Sequence, residues 1–219
     1  VKGFMNVQYA IKNDKIFVIE VNPRASRTVP FVSKANGIPL AKIASRVMTG
    51  EMLSKYKLKY KKNKRFAVKE AVFPFNKFPD SDLLLGPEMK STGEVMGLDK
   101  DFGMAVAKSQ IAASNSLPTS GMAFLSVKDS HKQEIIGIAQ RLKKLGFTIS
   151  ATKGTAKVLK NSGIKCKTIN KVSSGRPHIV DVLNSKKIAL VINTGGGNSE
   201  SRINDALALR RGTLANKIP

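Results

Sequence analysis

The sequence has a single cysteine, Cys166, and two histidines among its 219 residues. One thiol excludes an internal disulfide, and one thiol with two imidazoles cannot complete a zinc site of cysteine and histidine ligands. No segment reaches the roughly 18 consecutive apolar residues of a membrane-spanning helix, and the first residues lack the layout of a secretory signal peptide. These absences predict a protein that works in the reducing cytoplasm, without a membrane.

Acidic residues are also scarce, because 15 Asp and Glu stand against 38 Lys and Arg, which gives a net charge of +23. That charge favours an anionic partner or substrate, or a generally basic proteome, and does not choose between them. Apolar residues still make up 42 % of the chain, which is enough for packed cores and excludes a disordered polyelectrolyte. The length indicates one and a half to two domains. Both ends interrupt apolar or strand-like runs, so we expect a fragment of a longer protein.

The first predicted element is a β-hairpin. Residues 3–11 and 16–21 alternate in character on either side of a short turn at residues 13–15, which is the pattern of two antiparallel strands. Alternation places the apolar side chains of the second strand on the face opposite its polar ones. Those apolar residues are Phe17, Ile19 and Val21.

Polar side chains on the hairpin form a candidate metal site. Glu20 and Asn22 share one face of the second strand, and if the face of Gln8 coincides with it, three oxygens meet at one point. Oxygen donors of this kind are what Mg²⁺ prefers. A carboxylate in an apolar strand needs a partner, because an unpaired buried charge is costly. The alternative is a structural salt bridge from Glu20 to Arg24 or Arg27.

The segment that follows resembles a known signature. Residues 19–31, Ile-Glu-Val-Asn-Pro-Arg-Ala-Ser-Arg-Thr-Val-Pro-Phe, resemble the metal and phosphate signature of ATP-grasp ligases, and in detail that of the carbamoyl-phosphate synthase large-subunit family. The resemblance continues through residues 33–41, 73–79 and 85–97. It implies the C-terminal part of an ATP-grasp domain.

In that family the residues matching Gln8, Glu20 and Asn22 hold Mg²⁺ or Mn²⁺ ions that bridge the phosphates of the substrate ATP. The resemblance assigns the same role to these three side chains. It implies phosphate contact by Arg27, with Arg24 as a weaker candidate for the same catalytic role. Both assignments agree with the physics, because metal ions and guanidinium groups neutralise charge on a transferring phosphoryl group.

The resemblance has two further implications. Glu70 matches a carboxylate that in some members helps to bind a cationic activator. The lobe of the ATP-grasp domain that carries the glycine-rich loop would precede Val1, so we expect this chain alone not to hydrolyse ATP.

A domain boundary is predicted near the middle of the chain. Helical spacing of apolar residues covers 39–49, and residues 105–113 are small and apolar enough for a packed helix. Residues 114–121 are rich in Ser, Asn, Pro and Gly, as in a linker. We therefore expect an ATP-grasp part at residues 1–115, a linker at 116–121 and a second domain at 122–219.

Strand and helix patterns alternate in the second half, which predicts an α/β domain with a parallel sheet. The expected strands are 122–126, 147–151, 166–169 and 188–193. The expected helices are 131–145, 155–161 and 177–183. Ser130 and Gln133 predict a capping box for the first of these helices. The fold class of the whole chain is therefore α/β and α+β.

Polar residues at the strand ends predict a phosphate site, because ligands of such sheets gather at the carboxyl ends of strands and at helix N-termini. The turn Ala151-Thr152-Lys153-Gly154-Thr155-Ala156 offers two hydroxyls around a glycine. With its neighbours at the other strand ends, the predicted set is Ser126, Lys132, Thr152, Thr155, Lys171, Asn193 and Thr194.

The second half resembles the methylglyoxal-synthase-like, Rossmann-like regulatory domain of the same synthase. The resemblance is carried by residues 151–156, 170–172, 175–179 and 191–194. In the family the matching positions bind regulatory nucleotides such as UMP or IMP, so the predicted phosphate site is implied to be an allosteric nucleotide site. The chain differs at residues 195–197, where three glycines replace residues that are often hydroxyl-bearing. The last strand and helix of this domain are expected beyond Pro219.

Together the resemblances imply part of a glutamine-dependent enzyme that forms carbamoyl phosphate for pyrimidine and arginine biosynthesis. The reaction would use bicarbonate, two ATP and ammonia from a small glutaminase subunit, and this segment would serve the phosphorylation of carbamate. A homo-oligomer of the heterodimer is implied, with no membrane and no nucleic acid. One alternative is an RNA-binding module built on the basic, tyrosine-containing run 55–65. Another is a stand-alone methylglyoxal synthase with Asp181 as its base.

Overall fold

The structure is a computed structural model. It describes residues 1–59, 64–75, 77–78, 87–195 and 200–219. The chain divides into two compact units. The first comprises Val1–Val72 and Gly93–Ala113, and the second comprises Phe73–Thr92 and Ser114–Pro219. Within the described ranges no helix is both long enough and apolar enough to cross a bilayer.

In its described residues the first unit contains two antiparallel strand pairs, three α-helices and a short 3-10 helix at Leu53–Tyr56. Its elements are β1 (Asn6–Lys12), β2 (Lys15–Asn22), α1 (Thr28–Asn36), α2 (Leu40–Met48), β3 (Phe66–Val72), β4 (Gly93–Asp99) and α3 (Phe102–Ala112). The strand β1 pairs with β2, and β3 pairs with β4. The predicted hairpin and the two predicted helices, α2 and α3, are present. The helix α1 was not predicted, because its residues show no clear helical spacing of apolar side chains.

The hairpin between β1 and β2 has a bulge that the sequence pattern did not reveal. Gln8 lies opposite Glu20 but Tyr9 lies opposite Val18, so Ile19 is an extra residue in β2. A bulge of this kind interrupts the alternation of side chains. Phe17 lies opposite Ala10 and Val21 lies opposite Val7, so the expected grouping of Phe17 and Val21 on one face is wrong. The strand β2 is also exposed along most of its length, so the premise that Glu20 is a buried carboxylate is wrong as well.

The helix α3 packs closely on β4 at Gly97, which is buried. A Cβ atom built on Gly97 would lie 1.9 Å from the carbonyl oxygen of Ala105 and 2.6 Å from the backbone nitrogen of Ser109. Both Ala105 and Ser109 are fully buried. The absence of a side chain at position 97 therefore allows the backbones of the strand and the helix to meet.

The Gly97→Ala substitution should destabilise the first unit by about 2 kcal/mol, because backbone atoms must shift to admit the methyl group. Gly93→Ala is the matched control, since it lies on the same strand with nothing within 4 Å of the added Cβ. Urea unfolding followed by circular dichroism would measure both. Equal stability of the two variants would show that α3 does not pack on β4 as described.

Asp99 at the end of β4 is held by an ion pair with Lys108 of α3 at 2.6 Å and by the backbone N–H of Asp101 at 3.0 Å. The hydrogen bond from Lys108 is the main cause that lowers the pKa of Asp99 to about 2 from its ordinary 3.8. A carboxyl group with a lowered folded-state pKa stabilises the fold above its unfolded-state pKa and loses that contribution as pH falls. The contribution of Asp99 is therefore lost between about pH 4 and pH 2.

Substitution Lys108→Met should raise the pKa of Asp99 toward its ordinary value, because the charged donor is removed while the N–H of Asp101 remains. Carboxyl chemical shifts followed by NMR against pH would measure this change. An unchanged midpoint for Asp99 in the variant would contradict the ion pair.

The second unit has a four-stranded, all-parallel sheet in the order β7-β6-β5-β8. Its elements are β5 (Gly121–Ser126), α4 (Glu134–Lys144), β6 (Phe147–Thr152), α5 (Lys153–Asn161), β7 (Lys167–Ile169), α6 (Ile179–Asn184), β8 (Ile188–Asn193) and α7 (Glu200–Ala215). The predicted parallel α/β sheet is confirmed.

Apolar clusters cover both faces of this sheet. Ala123 and Leu125 of β5 belong to the cluster that includes buried residues of α4 and α5. Phe124 belongs to the other cluster, with buried residues of α6 and α7. Ala123, Phe124 and Leu125 are all completely buried. A strand with both faces covered reads as a continuous apolar run, which is why this one was evident from sequence.

Two details of the second unit differ from expectation. The helix α4 begins at Glu134 after a 3-10 turn at Asp129–His131, and Gln133 precedes it in a helical conformation without a side-chain cap. The predicted capping box of Ser130 and Gln133 is therefore wrong, because the tight turn replaces the extended residue that such a cap needs. The helix α7 was not predicted, since a helix was expected only beyond Pro219.

Candidate functional site

Three polar side chains of the first unit meet on the β1–β2 hairpin. The Nε2 atom of Gln8 donates to Oε1 of Glu20 at 2.5 Å, and Nδ2 of Asn22 donates to the same oxygen at 2.9 Å. Their positions follow from the strand register, in which Gln8 pairs with Glu20 and Asn6 pairs with Asn22. The bulge at Ile19 produces this pairing, because the register between the turn and the Tyr9–Val18 pair would otherwise continue to Gln8 opposite Ile19. The structure thus brings together the three side chains predicted as metal ligands.

The donor set of this cluster fits a hard divalent cation. It comprises one carboxylate and two carboxamides, and each carboxamide also carries a carbonyl oxygen. Rotation of the Gln8 or Asn22 amide would present that oxygen beside Glu20, in place of the N–H that now hydrogen-bonds to it. Carboxylate and amide oxygens are ligands of Mg²⁺ and similar ions. Among the described residues no group of three or more His, Cys, Asp or Glu forms a metal cluster, so any cation here would rely on the amides.

The two predicted phosphate-binding arginines lie in the segment that connects β2 to α1. Nη1 of Arg24 donates to the carbonyl oxygen of Ala25 at 3.2 Å, and Arg27 immediately precedes α1 in a helical conformation. Glu20 receives its hydrogen bonds from Gln8 and Asn22, so the described contacts do not show the alternative salt bridge to Arg24. The arginines follow the cluster closely in sequence.

Glu70 lies on β3, opposite Val95 of β4, and is partly exposed. Lys69 and Glu94, which lie diagonally across the same two strands, are joined by an ion pair at 3.2 Å. The strand places Glu70 on a different sheet from the hairpin cluster. The basic run 55–65 lies partly outside the described residues. At its start, Lys55 pairs with Glu51 at 3.3 Å and Tyr56 donates to the same carboxylate at 2.5 Å.

The second unit contains a cavity of about 180 Å³ at the carboxyl ends of its strands. Every residue predicted for the phosphate site lines this cavity: Ser126, Lys132, Thr152, Thr155, Lys171, Asn193 and Thr194. Strand ends explain the convergence, because β5 ends at Ser126, β6 at Thr152 and β8 at Asn193. Residues more than 60 positions apart in sequence therefore reach one point.

A network of hydroxyl groups shapes the floor of the cavity. Thr152 donates to Oγ1 of Thr155 at 3.3 Å, and the backbone N–H of Val127 donates to the same oxygen at 3.3 Å. On the other side, the N–H of Lys128 donates to Oγ1 of Thr194 at 3.1 Å. Both Thr152 and Thr155 are buried. The hydroxyls are thus held at fixed positions between β5, β6 and the start of α5.

Lys132 brings its ammonium group to the start of α5. A Cβ atom built on Gly154 would lie 3.2 Å from the Nζ atom of Lys132, so the glycine leaves the space that the ammonium uses. Lys132 also forms an ion pair with Asp129. A cation beside free N–H groups in the first turn of a helix is an arrangement that suits a phosphate.

Several cavity residues were not predicted from the sequence. The structure adds Lys128, Asp129 and Asp205, together with the apolar residues Phe124, Val172, Ile179, Ala206 and Leu209. Lys128 and Asp129 could have been found, because they lie within three residues of the end of β5. Asp205, Ala206 and Leu209 belong to α7. Because the sequence pattern did not predict this helix, it could not show that these residues reach the cavity.

Asp181 does not line this cavity. Its Oδ2 accepts a hydrogen bond from the backbone N–H of His178 at 2.9 Å, which places the carboxylate at the N-terminus of α6 as a cap. The imidazole Nδ1 of His178 lies 3.1 Å from the same carboxylate oxygen. Asp181 therefore has a structural role in α6, which disfavours its use as the base of a methylglyoxal synthase.

Comparison with protein families gives two matches along the chain. Residues 1–56 match the family "carbamoyl-phosphate synthase L chain, ATP binding domain", and residues 134–219 match the family "MGS-like domain". The first range contains the hairpin cluster and the two arginines. The second contains most of the cavity lining, from Thr152 to Leu209.

Individual relatives align with the whole chain. The carbamoyl phosphate synthase large chain of Rhizobium meliloti is 52 % identical over 225 residues, covering 100 % of this chain and 19 % of that protein. The large chain of Pseudomonas putida is 53 % identical over 219 residues, covering 100 % and 20 %. The "carbamoyl phosphate synthase large chain, C-terminal section" of Aquifex aeolicus is 49 % identical over 236 residues, covering 100 % and 44 %.

The chain spans about a fifth of the length of the first two relatives and under half of the third. The order of the two family matches agrees with the order in which the sequence motifs occur. These comparisons support the synthase hypothesis and give no support to the RNA-binding alternative. The chain belongs to the carbamoyl phosphate synthase large-chain family and carries the end of an ATP-binding domain followed by an MGS-like domain.

Proposed function

We propose that this chain is part of the large subunit of a glutamine-dependent carbamoyl-phosphate synthase, an ATP-dependent ligase. The reaction joins bicarbonate and ammonia at the expense of two ATP, and a small glutaminase subunit supplies the ammonia. The product would serve pyrimidine and arginine biosynthesis in the cytoplasm. The observation that carries the proposal is identity of about half along the whole chain to large chains of this name.

The first unit would contribute to the site that phosphorylates carbamate. Glu20, with Gln8 and Asn22, would hold Mg²⁺ or Mn²⁺, an ion that neutralises charge on the phosphates of ATP when it is bound. Arg27, and secondarily Arg24, would contact phosphate oxygens from the segment that follows β2. A guanidinium is suited to this contact because its planar donors match two phosphate oxygens at once.

The second unit would bind a regulatory nucleotide such as UMP or IMP through its phosphate. Lys132 and Lys171 supply positive charge, and the hydroxyls of Thr152 and Thr155 with the first N–H groups of α5 supply hydrogen-bond donors. The apolar wall that includes Val172 and Leu209 suits the base. The cavity of about 180 Å³ is small for a whole nucleotide, so the base or ribose would extend toward its mouth.

Three further assignments complete the proposal. Residues 1–115 would form the end of the ATP-grasp domain and residues 122–219 the regulatory domain, joined by a linker at 116–121. Glu70 would help to bind a cationic activator. The heterodimer of large and small subunits would assemble into a homo-oligomer.

The test is an assay of the complete large chain that contains this sequence, together with its glutaminase subunit. We expect carbamoyl phosphate to form from glutamine, bicarbonate and ATP in the presence of Mg²⁺, and the rate to respond to UMP or IMP. Failure of this complex to make carbamoyl phosphate under those conditions would contradict the proposal.

A further inference from the structure

The cavity in the second unit is built from two walls that come from distant parts of the sequence. The loop between β7 and α6 supplies Lys171 and Val172, and the helix α7 supplies Asp205 and Leu209. The strands fix only the floor of the cavity. The position of Lys171 over that floor therefore depends on what holds the loop.

One residue of α7 holds the loop through both of its carboxylate oxygens. The backbone N–H of Ser173 donates to Oδ1 of Asp205 at 2.9 Å, and the hydroxyl of Ser173 donates to Oδ2 at 2.8 Å. Hydrogen bonds to an ionised acceptor are stronger than neutral ones, and two parallel bonds also fix orientation. Ser173 itself is exposed and does not line the cavity.

The other hydrogen bonds of the loop stay within it or reach the first turn of α6. Ile179 N–H donates to the carbonyl of Asn170 at 3.0 Å, and Ser174 N–H donates to the carbonyl of Lys171 at 3.1 Å. These bonds fold the loop but do not attach it to α7. Within the described residues, the pair of Ser173 and Asp205 is the hydrogen-bonded link between the loop and that helix.

We propose that Ser173 and Asp205 form a clamp that positions Lys171 for the anion in the cavity. Ser173 is then a positioning residue, two positions from the lysine that would touch the ligand. A pre-positioned loop binds more tightly, because less conformational freedom is lost when the ligand arrives. The inference rests on the proposed regulatory-nucleotide site. It adds to that site a role for α7, whose Asp205 holds the loop that carries Lys171.

Binding to the full chain tests the clamp, with UMP and IMP as probes and calorimetry as the measurement. Ser173→Ala should weaken nucleotide binding about tenfold, because it removes a hydrogen bond to a charged acceptor and loosens the loop. Ser173→Thr keeps the hydroxyl and should restore most of the affinity. Ser185→Ala is the matched control, since that hydroxyl donates only to the nearby carbonyl of Val182 at 2.8 Å.

Asp205→Ala gives a second comparison. If the clamp is one unit, the double variant Ser173→Ala/Asp205→Ala should bind no more weakly than Asp205→Ala alone. Wild-type affinity in Ser173→Ala, or fully additive losses in the double variant, would overturn the clamp.

Hydrogen exchange in the unliganded chain separates failure of the clamp from failure of the proposed function. The amide of Ser173 should exchange slowly in the wild type and rapidly in Asp205→Ala. If neither nucleotide binds the wild type, the regulatory-site proposal fails and exchange alone decides the clamp. Equal exchange at Ser173 in wild type and Asp205→Ala would then overturn it.

Discussion

Substituting Glu20 by alanine in the complete large chain should reduce carbamoyl-phosphate synthesis on the order of a thousandfold, because the cluster would lose its only carboxylate. Glu20 is exposed and its contacts are two hydrogen bonds on the hairpin surface. The substitution should therefore leave the fold intact. The loss would fall on the reaction, and the measured quantity is the initial rate of carbamoyl-phosphate formation with saturating ATP and glutamine.

Two further variants separate charge from packing at this position. Glu20→Gln keeps the shape of the side chain and removes its negative charge, so it should be nearly as inactive as Glu20→Ala. Glu134→Ala removes an exposed carboxylate in the first turn of α4 and should retain normal activity. Near-normal synthesis by either Glu20 variant would show that this carboxylate is not part of the reacting site.

The convergence of Gln8, Glu20 and Asn22 was only partly predictable, because strand alternation and a short turn give the hairpin and the shared face of Glu20 and Asn22 but not the register that brings Gln8 to them. Asn13 and Asp14 have positive φ angles of 49° and 58°, which such residues tolerate and which two-residue hairpin turns require. The bulge at Ile19 was not predictable, since an extra residue in a strand leaves no mark in composition. The bulge lies between the turn and the Gln8–Glu20 pair and sets that pairing, so the sequence alone could give the coincidence of the two faces only as a condition.

The cavity of the second unit shows the same division. Its floor follows from a rule of parallel sheets, and the residues at the ends of β5, β6 and β8 could be chosen from sequence alone. Its outer wall comes from α7, whose apolar residues include Ala206, Leu209 and the exposed Ile203. A helix without a single clear apolar stripe gives a weak periodic signal. Asp205 and its contact with Ser173 were therefore visible only in the structure.

A second prediction with a large expected effect concerns the residues of the cavity that would bind phosphate. Lys132→Ala removes the ammonium beside the first turn of α5, and Thr152→Ala removes a buried hydroxyl from the cavity floor. Each should weaken nucleotide binding by about a hundredfold, because each takes away a donor to a charged phosphate in a partly desolvated site.

Matched controls for these variants are available within the same unit. Lys144→Ala removes an exposed lysine from the last turn of α4. Thr148→Ala lies on the same strand as Thr152, at the end away from the cavity, where its hydroxyl is 3.4 Å from the carbonyl of Gly121. Both controls should bind nucleotide as the wild type does, and circular dichroism would confirm that all four variants are folded.

The most direct test of the central claim is calorimetric titration of this chain with UMP, and with IMP in parallel. We predict saturable binding of a nucleotide to the wild type and to the two controls, and binding about a hundredfold weaker in both Lys132→Ala and Thr152→Ala. Binding of wild-type strength in those two variants, or absence of binding of both nucleotides to the wild type, would contradict the assignment of the cavity as a regulatory-nucleotide site.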